Sequence, residues 1–260
     1  MNQKNMSSPK LTNVLSDYSI PIFKIFIESY RQTKGIKKIF WSATFLIFIA
    51  VVVPITVLTC LSYLLDSLYP ALHLKNIFYD IYHYFFYVVC EVSLSLIALQ
   101  YIRGIAAGYE MALDIGKVWK PLVFFGLIPY FLSLIFDFYF KYISTFNFNG
   151  TVYGFEITVG FILFLILLII ISIYIVQLII MTMLLVLDRN LKVIESLILS
   201  FKSINKHFFK NVSLGLFTWT MTIFLIVVTF GIGLIWLKPM MATTNAIQYQ
   251  RIFRSLLNTD

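Results

Sequence analysis

Asp80, His83, Tyr87 and Glu91 are separated by three, four and four positions, the spacing that stacks side chains on one face of a helix. A carboxylate, an imidazole, a phenol and a second carboxylate in that order could pass a proton or hold a cation. Glu91 would then be the group that titrates and His83 the relay. Histidine and carboxylates at helical spacing also ligate metals, but a single helix supplies too few ligands, so no metal is expected. The structural alternative is more economical: Asp80 and His83 sit among lipid headgroups, and Glu91 is protonated or paired with another helix. An ionisable residue inside a membrane span costs about 2.5–3.5 kcal/mol on insertion scales and is a functional candidate by default.

Three more polar residues interrupt apolar surroundings. Lys238 lies in the stretch TFGIGLIWLKP (229–239). If Gly231 and Gly233 turn the chain there, with Thr229 closing the preceding helix, Lys238 lies a turn or two below the outer surface. That depth is comparable with Asp80 and with Asp137, so a Lys–Asp pair is expected, with Asp137 or Asp80 as the partner. Snorkelling to the surface is the alternative. Gln177, in an otherwise apolar run, is expected to make an interhelical hydrogen bond.

The elements that carry these residues are set by composition. Of 260 residues, 60% are hydrophobic and 12% charged, with a mean hydropathy of +0.89; soluble domains average roughly 45–50% apolar and 25% charged. Residues 39–65, 157–187 and 211–237 contain no Asp, Glu, Lys or Arg, and each exceeds the roughly 20 residues that cross a bilayer core of about 30 Å. Helices are the expected form, because lipid cannot satisfy exposed backbone groups. The expected spans are 39–65, 77–101, 119–140, 157–187, 211–230 and 234–253, with Pro239 inside the last. Together they make a single transmembrane domain over 21–256, preceded by a disordered cytoplasmic tail over 1–20.

A net charge of +8 would suggest nucleic acid in a soluble protein, but the positions of the charges exclude that reading. Seven of the 20 basic residues precede position 39 and five lie between Arg189 and Lys210, whereas the loops 66–76 and 141–156 hold one each. By the positive-inside rule both termini and the longer connections face the cytoplasm, and the expected location is a bacterial inner membrane. Residues 1–38 are polar and basic, so no cleavable signal is expected and the first span should serve as an anchor. Cys60 and Cys90 fall inside spans and are expected to pack as free thiols.

Two cytoplasmic segments have helical periodicity. IPIFKIFIESYRQTKGIKKIF places Ile22, Phe23, Phe26, Ile27 and Tyr30 on one stripe, and NLKVIESLILSFKSINKHFF does the same with Val193, Ile194, Leu197, Ile198 and Phe201. Both are expected to be amphipathic helices lying in the interface with Lys and Arg outward, where anionic lipid headgroups would bind. A shift of 171 residues superimposes Ser29, Tyr30 and Arg31 on Ser200, Phe201 and Lys202. A poorer third copy, YEMALDIGKVWKP, precedes the third span. The expected fold is therefore all-α: six transmembrane helices as three interfacial-helix-plus-hairpin units.

The segments DRNLKVIESLILSFKSINKHFFKN and TFGIGLIWLKPMMATTNAIQYQRIF resemble an uncharacterised family of bacterial six-span integral membrane proteins, a domain of unknown function. The matching positions are Asp188, Glu195, Ser200, Thr229, Gly231, Gly233, Trp236, Pro239, Ala246 and Tyr249, including the T-x-G-I-G-x-x-W-x-x-P hairpin. The resemblance covers roughly residues 185–254 and implies six helices with both ends inside; it implies no activity. The chain departs from the pattern at Lys238, usually uncharged, and at Met240, often Tyr.

No P-loop, G-x-S-x-G, H-E-x-x-H or paired-cysteine motif is present, so no catalytic residue, cofactor or metal is expected. Asn149-Gly150-Thr151 reads as an outer turn. The expected function is a non-enzymatic membrane scaffold that binds lipid or a protein partner, including another copy of itself, and no nucleic acid. The alternative is a small proton-coupled transporter using the Asp80/His83/Glu91 face.

Overall fold

A computed structural model describes residues 21–68, 74–105, 108, 119–144, 152–230 and 233–253. The tail expected over 1–20 and most of the segment YEMALDIGKVWKP lie outside the described residues. Those described form helices and no strand: α1 (Ile22–Leu68), α2 (Leu74–Ile102), α3 (Trp119–Ser144), α4 (Val152–Arg189), α5 (Val193–Lys206), α6 (Phe208–Val228) and α7 (Leu234–Ile252). Each expected span coincides with one of them, although 211–230 and 234–253 run past the ends of α6 and α7 by two residues and one. Among the described residues, two helices are long and apolar enough to cross a membrane, Ile162–Arg189 within α4 and all of α6, so six spans are not supported and the expectation is corrected to two such helices. The expected spans at 39–65, 77–101, 119–140 and 234–253 are not among them; in the last, α7 interrupts its apolar run with Lys238, Pro239, Thr243, Thr244, Asn245 and Gln248.

That polar helix is largely enclosed by its neighbours. Leu237, Met240, Ala242, Ala246, Ile247 and Tyr249 are buried together with Thr243, Thr244 and Gln248, and α1, α2, α4 and α6 all pack against it. Apolar residues elsewhere face outward. Phe124, Phe131 and Phe138 on α3, Leu163 and Leu167 on α4, and Ile223, Phe224 and Val227 on α6 are exposed, an arrangement that suits lipid and would be an aggregation hazard in water.

The first amphipathic segment differs from expectation. Residues 22–38 do not form a separate surface helix: α1 runs unbroken for 47 residues, about 70 Å at 1.5 Å per residue. Its N-terminal part crosses α7. Arg251 donates to Glu28 at 2.8 Å, the hydroxyls of Ser29 and Thr244 are 3.0 Å apart, and the Lys37 ammonium lies 4.9 Å from the centre of the Trp236 ring. Lys37 and Trp236 were expected at opposite membrane surfaces, and the continuous helix brings them together.

The repeat at 171 residues is visible in the packing. Ser29 and Ser200 are both fully buried, while Phe23 and Ile194, Ile27 and Ile198, and Tyr30 and Phe201 are exposed in matching pairs. From 22–34 against 193–205 the burial class agrees at every position except Glu28/Leu199 and Gln32/Ser203. In each segment an inward face carries small hydroxyl residues with Ile25 or Leu199 and Ile204, while Phe23, Ile27 and Tyr30, or Ile194, Ile198 and Phe201, face out beside basic residues. Ser29 donates to the Ile25 carbonyl at 2.7 Å, which satisfies the hydroxyl locally and lets it enter a packed face.

The turn into α7 has a different basis from the one expected. Gly231 lies outside the described residues, and Gly233 is in the ordinary helical region at φ −56°. The left-handed residue is Phe230 at φ 49°. Gly233 is required for space: a Cβ there would lie 2.6 Å from Thr229 Oγ1 and 3.2 Å from the Leu225 carbonyl. As expected, Thr229 closes α6. Its hydroxyl donates to Leu225 O and accepts from the Gly233 N–H at 2.7 Å.

Candidate functional site

Glu91 and Lys238, read separately in the sequence, form one ion pair. Lys238 Nζ donates to Glu91 Oε1 at 2.6 Å, with the glutamate side chain 4% and the lysine 35% exposed. The partner the structure shows for Lys238 is Glu91, which was not among those expected. Asp137 is exposed on α3, and the side chains of Asp80, His83 and Tyr87 lie outside the described residues. Depth explains the difference. The two helices are level at their C-terminal ends, where Arg103 and Tyr249 share Asp188. From there Glu91 is 12 residues, about 18 Å, back along α2, and Lys238 is 11 residues, about 16 Å, back along α7. The lysine stem spans the remaining offset. At the other end the helices are staggered, so depths counted from the outer turn misplace Lys238.

A polar seam extends from this pair around α7. Gln177 donates to the Asn211 carbonyl at 3.0 Å, the interhelical hydrogen bond its position predicted. Asn211 donates to the Ile204 carbonyl at 2.9 Å and accepts from Gln248 at 3.0 Å, so one side chain ties the α5–α6 junction to α7. Asn245 reaches Ser95 at 3.3 Å. Gly215 makes the approach of α6 to α4 possible, since a Cβ there would lie 2.5 Å from Ile173 Cγ2 and 2.6 Å from Gln177 Nε2. A cavity of about 30 Å³ is left beside the seam, bordered by Glu91, Gln177, Thr218, Trp219, Thr244 and Asn245 among others.

The C-terminal ends of α2, α4 and α7 meet at Asp188. Arg103 grips both of its oxygens at 2.5 and 2.9 Å, and Tyr249 donates to it at 2.9 Å. This fork is the strong form of the carboxylate hydrogen bond. The hydrogen bond to Asp188 raises the Arg103 pKa above its ordinary value against the opposing effect of burial. The stabilisation is therefore fully present below the ordinary arginine range and lost only above it, so the guanidinium stays charged throughout the working pH. Sequence reasoning placed Asp188 and Tyr249 only within a resemblance and gave Arg103 no role. The available signal was an arginine and an aspartate each at the inner end of an apolar run.

Among the described residues no three His, Cys, Asp or Glu side chains gather as a metal site would require, and Cys60 and Cys90 are free thiols. Comparison with protein-family models, with curated proteins and with solved structures finds no match.

Proposed function

We propose that this protein is a non-enzymatic integral membrane protein whose α1 N-terminal part and α5 engage anionic lipid headgroups. The observation that carries the reading is the paired outward face. Phe23, Ile27 and Tyr30 are exposed beside Lys24, Arg31 and Lys34, and Ile194, Ile198 and Phe201 beside Lys202 and Lys206. An apolar edge flanked by a basic edge matches the boundary between acyl chains and anionic headgroups. In this reading the six apolar segments are embedded in a bacterial inner membrane with both termini cytoplasmic. The sixth is shielded by its neighbours, and the Trp236 ring face stabilises the Lys37 charge at its depth. The interfacial helices of the repeating unit are then parts that pack on the bundle through a small-residue face.

Spin labels at Ile27→Cys and Ile198→Cys, in protein reconstituted with phosphatidylglycerol, test this. Both should show oxygen accessibility typical of the headgroup–acyl boundary, and charge reversal of Lys202 and Lys206 should weaken retention of anionic lipid. Two water-exposed labels, or lipid retention unchanged by charge reversal, would sink the proposal and favour a protein partner on these faces. The transporter reading is the second, supported by the cavity at Glu91.

A further inference from the structure

We propose that the cavity between α2, α4, α6 and α7 is an internal water site of about two molecules, hydrogen-bonded to Gln177 Oε1 and the Glu91 carboxylate. It is independent of the lipid reading. Gln177 is 7% exposed. Its Nε2 is committed to the Asn211 carbonyl, which fixes the amide orientation, and its Oε1 has no hydrogen-bond partner among the described residues. A buried acceptor left in that state costs about 1–3 kcal/mol, so the site calls for a donor.

Charge and volume decide which donor. Glu91 is already neutralised by Lys238 at 2.6 Å, so a cation would add an uncompensated charge in a low-dielectric interior. A neutral donor adds none. The volume of about 30 Å³ is about twice the 10–15 Å³ that one water requires. Thr218, Thr244 and Asn245 border the same space and supply the further polar partners an internal water requires. A second cavity of about 10 Å³ on the other side of Glu91 is lined by Val88, Val176, Ile179 and Ile180; too small and too apolar, it stays dry. Trp219 is the one exposed residue of the larger cavity's lining.

Silver ion reacts with thiols along aqueous paths too narrow for larger reagents, and it tests the site in the full-length protein in liposomes with Cys60 and Cys90 replaced by Ala. Thr218→Cys should react roughly tenfold faster or more than Met183→Cys, a fully buried position outside the cavity whose reaction waits on local opening. Adding Gln177→Leu, which fills the space and removes the acceptor, should bring Thr218→Cys down to the Met183→Cys rate. Gln177→Met serves the same purpose if the leucine variant does not fold. Equal rates at 218 and 183, or a Thr218→Cys rate unmoved by either substitution at 177, would overturn the proposal.

Discussion

Removing one charge of the Glu91–Lys238 pair should cost very different amounts depending on which is removed. Lys238→Met strands a carboxylate that is only 4% exposed, and an uncompensated buried charge typically costs about 3–5 kcal/mol. Glu91→Gln removes the carboxylate from an ammonium that is 35% exposed on a flexible stem that can carry it toward water. Solvent screening reduces that loss to about 1 kcal/mol. The double variant leaves neither charge unpaired and should lie within about 1–2 kcal/mol of wild type, giving a coupling of about 2–5 kcal/mol. Reversible unfolding in mixed micelles, followed by helical circular dichroism, measures all four corners of the cycle. Equal single losses, or losses that add within about 0.5 kcal/mol, would refute the pair and the exposure argument together.

Arg103→Lys keeps the charge but loses the fork on Asp188, and should lower stability by about 1–2 kcal/mol in the same assay. Tyr249→Phe removes one donor to that carboxylate and should cost about 1 kcal/mol, the two losses being non-additive because they share Asp188. Gly215→Ala should destabilise by about 1–3 kcal/mol through the contacts its Cβ makes with Ile173 and Gln177. Phe230→Gly relieves a left-handed residue that is 96% exposed and should raise the unfolding midpoint, by about 0.5–1 kcal/mol of stability.

Helix positions were legible because charge-free runs of this length leave few other options, and the ends of α2, α6 and α7 follow from where charged residues and the Thr229 turn fall. The register between residues 22–34 and 193–205 was also legible, since Ser29 and Ser200 interrupt apolar stripes at equivalent points. Long-range partners were not. The Glu91–Lys238 contact joins residues 147 positions apart, and its depth depends on which helix ends are level. That levelling is done by Arg103, Asp188 and Tyr249, three residues with no distinctive spacing. The left-handed turn residue was hidden for a local reason: phenylalanine carries no preference for that conformation, and two nearby glycines drew the expectation instead.

The unbroken α1 has a mechanical consequence. In the proposed membrane setting, bilayers of different thickness tilt a long helix, and in α1 the weak point for absorbing the change is Pro54, whose ring removes a backbone donor from the helix interior. A tilt of about 10° at its outer half displaces a point some 35 Å away by about 6 Å. That distance exceeds the tolerance of a hydrogen bond, and the inner half of the rod holds Glu28 against Arg251 and Ser29 against Thr244. In that setting the clasp on α7 lies on the N-terminal side of Pro54 and receives the part of the tilt that the proline transmits.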